Sequence, residues 1–204
     1  LKPMTITASL PTDGMQTRAA GDEAATRGYV QVLDADGNLL GGDNSNVKPM
    51  TSATDGGFIT TVSLTEGVQY DFLFWADTET TSADQSNAPT DLKAVAYTNG
   101  KTIAWAGSED DVMWNSQGVS IELQHVVSRV TVTTTSDFTV GGNYSLTVTV
   151  PTVFSTYNVA TGEVTGQAEG YTFKAVPDNY VADTEVGQFY VLGNGSNQPL
   201  TLWY

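Results

Sequence analysis

Few residues of this chain are of types that do chemistry. His125 is the single histidine, and there is no cysteine. Histidine-pair metal sites, thiolate sites and thiol nucleophiles therefore have no residues to build them. His125 stands in Leu123-Gln-His-Val126, where packing or hydrogen bonding is the expected role. Asp34-Ala-Asp36-Gly37-Asn38 has the composition of a calcium loop. Its glycine is fourth rather than sixth, so a hairpin turn is the expectation. Glu109-Asp110-Asp111 lies between Trp105 and Trp114, an arrangement of aromatic platforms with a polar rim that could contact a glycan. The remaining chemistry is something done to the chain. Arg18-Ala19 sits in Pro11-Thr-Asp-Gly-Met-Gln-Thr-Arg-Ala-Ala-Gly-Asp-Glu23, a run suited to cleavage by an arginine-specific protease. Arg27-Gly28 is a second candidate, but it abuts the next strand.

The elements around Arg18 give that bond its interest. Met4, Ile6, Ala8 and Leu10 alternate with Thr5, Thr7 and Ser9, the period of a half-buried strand. One cut after Arg18 would release this strand from a domain that then keeps an open groove. Further strands are expected at Tyr29–Leu33, Phe58–Leu64, Tyr70–Ala76, Tyr144–Val150, Phe189–Leu192 and Leu200–Tyr204, with a tight hairpin at Thr161-Gly162. Tyr70–Ala76 is apolar on nearly both faces, as a central strand is. Val119, Ile121 and Leu123 keep odd spacing, whereas Val126, Val130 and Val132 keep even spacing. That slip of face calls for a bulge or bend near Gln124–Val126. A short helical turn is expected within Ala88–Tyr97, and no long element between Asp77 and Thr102.

The 204 residues are 40% hydrophobic and 15% charged, a globular composition. A formal charge of −15 argues against nucleic acid or anionic lipid as partner. No window is apolar for long enough to span a membrane, and no phosphate-binding glycine loop follows a strand. The chain begins at Leu1, so a mature form is expected, with its targeting segment and any lipidated cysteine upstream. Short strands joined by Gly, Asn and Asp turns predict an all-β sandwich. The expected organisation is an N-terminal strand and cleavable loop over residues 1–18 and one sandwich domain over 19–204.

Four features in this order resemble the fimbrillins and Mfa-like fimbrillin-associated proteins of the type V pilus. They are the first strand with Arg18-Ala19, then Tyr70-Asp-Phe-Leu-Phe-Trp-Ala-Asp77, then Glu122-Leu-Gln-His-Val-Val-Ser-Arg129-Val-Thr-Val132, and Tyr157-Asn158 with Thr161-Gly162. The resemblance implies a transthyretin-like Greek-key β-sandwich, export as a lipoprotein, and residence on the outer membrane or in a fimbrium. It implies a non-enzymatic subunit without cofactor. An arginine-specific protease would remove Met4–Leu10, and a strand from another pilus subunit would replace it. A host or bacterial surface receptor is a further partner of such proteins. Family members usually carry a second sandwich domain with the donor strand, and this chain is expected to end with the first. Either the chain is then truncated, or it is a short variant whose own tail, Pro199–Tyr204, would have to donate. The alternative reading is a surface lipoprotein module that binds glycans through Trp105 and Trp114. A secreted hydrolase using carboxylates that meet only in space is a more distant third.

Overall fold

The computed structural model describes residues 1–11, 24–40, 47–79, 88–100, 102–114, 118–135, 145–175, 182–193 and 200–203. Every regular element among them is a strand: β1 (Lys2–Ser9), β2 (Arg27–Asp34), β3 (Lys48–Ser52), β4 (Phe58–Leu64), β5 (Gln69–Asp77), β6 (Val95–Ala96), β7 (Ala104–Met113), β8 (Val119–Glu122), β9 (Gln124–His125), β10 (Val127–Thr133), β11 (Leu146–Tyr157), β12 (Val164–Ala175), β13 (Glu185–Leu192) and β14 (Thr201–Trp203). The all-β class expected from composition is the class found. Two compact units are present.

The first unit comprises Leu1–Ala96, Ile103–Val126 and Tyr157–Glu163. Its sheet has eight strands in the order β8-β1-β4-β3-β2-β5-β7-β9. β8 and β9 stand at opposite ends of that order, yet only Leu123 separates them in the chain. One residue spans a few ångströms, so the sheet has to curl until its two ends meet. The bend expected near Gln124–Val126 is found as interruptions at Leu123 and Val126, which let β8, β9 and β10 take different neighbours.

Burial explains the order. β2 and β5 occupy the middle of the sheet, and β5 is buried at every position from Phe72 to Asp77. The aromatic and aliphatic run that reads as a central strand in sequence is one. Phe72, Phe74, Trp75, Trp105, Leu73, Leu92 and Leu123 are fully enclosed. Gln31 is enclosed among them, and its Oε1 accepts the Leu92 backbone N–H at 2.8 Å. A buried amide without that partner would be costly.

The helical turn expected within Ala88–Tyr97 is absent. Asp91 takes the Lys93 N–H on its carboxylate at 2.9 Å and the Ala94 N–H on its carbonyl at 3.2 Å. Aspartate that bonds its own backbone favours a turn over a helix. The Thr161-Gly162 turn is present: Gly162 has φ of 70°, and its N–H donates to the Asn158 carbonyl at 2.8 Å.

The second unit comprises Tyr97–Thr102, Val127–Thr156 and Val164–Tyr204. β10 pairs with β13, while β12, β11 and β14 lie side by side. Leu146, Val148, Val150, Val153, Phe189 and Val191 form the core between these sheets, flanked by Val130, Val132, Tyr171 and Phe173. Asn99 ties the sheets together. Its Nδ2 donates to the Phe154 carbonyl and its Oδ1 accepts the Leu192 N–H, both at 2.8 Å.

Candidate strand-docking site

β1 is held on both sides. It runs antiparallel to β4 with Lys2 opposite Leu64 and Ala8 opposite Phe58. It runs parallel to β8, with Ile6 opposite Val119 and Ser9 opposite Glu122. The alternation read from the sequence sets its faces: Met4, Ile6 and Ala8 are buried, while Pro3, Thr5 and Ser9 are exposed. Exposure is 2% at Met4, 0% at Ile6 and 2% at Ala8. Leu10 lies past the strand's end and is still 8% exposed. The polar face contributes too, since Thr7 Oγ1 donates to the Val119 carbonyl at 3.3 Å and Ser9 Oγ to that of Ile121 at 3.2 Å.

Two glycines let the neighbouring backbone come this close. A Cβ on Gly57 would lie 2.5 Å from the Ala8 carbonyl oxygen, and one on Gly118 would overlap the Thr5 carbonyl oxygen. Gly118 also has φ of +80°, the left-handed region in which a side chain is strained. Neither glycine stands out in the sequence as part of this site. A glycine just before an apolar alternating run is the one signal that marks them.

Of the two arginine bonds, Arg18-Ala19 lies outside the described residues. Arg27-Gly28 lies inside β2, with Gly28 paired to Met50 on one side and Ala76 on the other. The Arg27 side chain is 9% exposed. Its Nε donates to Asp77 Oδ1 at 2.6 Å and its Nη2 to Asp77 Oδ2 at 3.1 Å, with Glu79 Oε2 also 3.1 Å away. The guanidinium lies 5.5 Å from the Tyr29 ring centre. Burial opposes its charge, but the Asp77 hydrogen bonds and negative charge outweigh burial and hold it protonated. A protease needs an extended, unpaired segment, and this bond is extended but paired in the folded chain.

The proposed aromatic platform does not form. Trp105 is 1% exposed and Trp114 is 5% exposed, so neither ring offers a face to a sugar. Trp105 Nε1 donates to His125 Nε2 at 3.0 Å, and the two rings lie 4.9 Å apart. This pair sits where β7 meets β9, opposite each other in register. His125 thus has the hydrogen-bonding role expected of it. Trp105 lies in the buried first half of β7 and Trp114 just past its end, with the exposed Glu109-Asp110-Asp111 between them in the chain, which is why sequence reading set them beside a polar rim.

The Asp34 loop is a hairpin turn. Asp34 Oδ1 accepts the N–H groups of Asn38 at 2.8 Å and Asp36 at 3.0 Å. The Asn38 backbone bond, foremost, holds its carboxyl below the ordinary aspartate range.

The model of a family of unknown function, DUF6562, matches residues 2–202. This chain belongs to that family. No curated protein matches it. Solved structures resemble it in fold over 98% of its length. A candidate adhesin from Bacteroides ovatus has a TM-score of 0.56 at 16% identity, with 72% of that protein covered. A candidate polysaccharide-binding protein from Bacteroides thetaiotaomicron has a TM-score of 0.55 at 14% identity, with 75% covered. The fimbrial anchor protein Mfa2 from Porphyromonas gingivalis aligns at 16% identity with a TM-score of 0.47, with 77% of it covered. The DUF6562 chain thus shares the fold of the candidate adhesin and of the candidate polysaccharide-binding protein.

Proposed function

We propose that this DUF6562 chain is a structural or accessory subunit of a bacterial cell-surface fimbria, without enzymatic activity. It is exported, as a lipoprotein precursor, to the outer membrane. An arginine-specific protease cuts after Arg18, β1 leaves, and a strand from another pilus subunit takes its seat. The observation that carries this reading is β1 itself. It is N-terminal, buried along one face, and hydrogen-bonded on both edges. The fold shared with a candidate adhesin supports a place at the cell surface.

Burying a Met, Ile or Leu side chain stabilises by about 1.5–3 kcal/mol. Met4, Ile6 and Leu10 therefore hold roughly 5–9 kcal/mol, against about 5–15 kcal/mol for a whole domain. Loss of β1 also leaves edges of β4 and β8 unpaired, a template for another chain. Main-chain pairing and alternate side-chain pockets would hold the incoming strand.

Limited digestion with an arginine-specific protease tests the reading, followed by mass spectrometry and size-exclusion chromatography. The first cut is expected after Arg18, with oligomers or loss of fold once β1 departs. A product lacking β1 that stays monomeric and melts with the intact chain would overturn it.

A further inference from the structure

The seat of β1 changes width along its length. Ile6 lies between Thr60 of β4 and Val119 of β8. Ala8, the next residue on that face, lies between Phe58 and Ile121. Residues opposite one another in register share a face of the sheet. The side chains flanking Ala8, Phe58 and Ile121, are bulkier than Thr60 and Val119 beside Ile6, and they are hemmed in on their far sides, the Phe58 ring by Gly28 and Ile121 by Gly107. Ile6 is 0% exposed and Ala8 2%, so both positions are closed to solvent. Ile121 cannot swing away freely, because its Cδ1 stands against Gly107, where an added Cβ would be 2.7 Å off. Gly57, against the Ala8 carbonyl, fixes the backbone at the narrow point.

We infer that the seat selects its occupant by side-chain size. An incoming strand has to present a large apolar residue where Ile6 stands and alanine or glycine where Ala8 stands, with large apolar residues at the Met4 and Leu10 positions. This selection rests on the strand replacement proposed above and names the partner it requires. That partner is an extended segment with the pattern large, large, small, large at every second residue. Residues 199–204 fit this pattern poorly in β1's direction. A register that seats Leu200, Leu202 or Tyr204 at the Ala8 position sets leucine or tyrosine in the narrow place. The other phase sets Pro199 or Thr201 where Ile6 stands.

The test uses the full chain nicked between β1 and β2, with β1 still seated, and fluorescein-labelled peptides. The peptide of residues 2–11 is expected to exchange into the seat. Its Ala8→Leu form, its Ile6→Ala form and a peptide of residues 199–204 are each expected to bind at least about tenfold more weakly, the scale of a packing misfit. Equal capture of the Ala8→Leu form or of the 199–204 peptide overturns the size rule and leaves strand replacement standing. Capture of none of the four overturns strand replacement itself. In the intact chain, Ala8→Leu is expected to lower the melting temperature while Thr5→Leu, on the exposed face, does not. An Ala8→Leu chain as stable as the parent overturns the size rule without any exchange.

Discussion

The Asp77 carboxylate holds one end of the first unit together by accepting four hydrogen bonds. Two come from Arg27, one from Trp75 Nε1 at 2.8 Å, and one from the Glu79 N–H at 3.1 Å. Asp77 is 3% exposed, so its charge has little water to rely on. Removing one member of such a buried pair costs about 3–5 kcal/mol, because the other charge stays behind. Glu79 still faces Arg27, so Asp77→Asn is expected near the lower end of that range, read by urea unfolding. The same variant should make the Arg27–Gly28 bond cleavable in digestions that leave it whole in the parent. A parent chain cut as fast after Arg27 as the variant would show that the pair does not shield it. The sequence names Arg27 as a cleavage candidate but gives no sign of Asp77, fifty residues away. Long-range pairing of charges is a property of register, and register is not written in local spacing.

At the scale of elements, β1 and β5 were legible because their patterns are pure: strict alternation in one, unbroken apolar character in the other. β3 and β7 were not. β3 reads Lys-Pro-Met-Thr-Ser and buries Met50 alone. The second half of β7 carries Glu109, Asp110 and Asp111, with Asp111 at φ of 57°, so it looks like a loop. Both are strands because their neighbours supply the pairing. The contact of Gly118 with β1 is of the same kind. Gly118→Ala places a side chain into the Thr5 carbonyl at a left-handed φ. It is expected to cost more than about 1 kcal/mol. Hydrogen exchange at Thr5–Ser9 should accelerate more than exchange in β2. Uniform acceleration across both strands would mean that the glycine supports the unit as a whole and not the seat.

For the whole molecule, all-β class and acidic surface were readable from composition, while the division into two units was not. No linker or compositional break marks it, because each unit is assembled from three separate stretches of chain. The formal charge of −15 acts at this scale. Like charges spread over one surface repel, and the compact state bears that cost. Raising sodium chloride from about 0.01 M to 0.15 M shortens the screening length from about 30 Å to about 8 Å. The melting temperature is expected to rise over that interval in a thermal scan. A flat response would show that the carboxylates are locally balanced by cations.

The place of Leu123 has a further consequence. Among the described residues β8 has β1 as its only hydrogen-bonded neighbour in the sheet, and Leu123 tethers it to β9 on the opposite rim. Lifting β1 therefore strands β8 as well: the hoop parts at its clasp, and the gap is two staves wide. A newcomer would have to dock on β4 and recruit β8 back to its own far edge, so that closing the ring and gripping the guest are a single event.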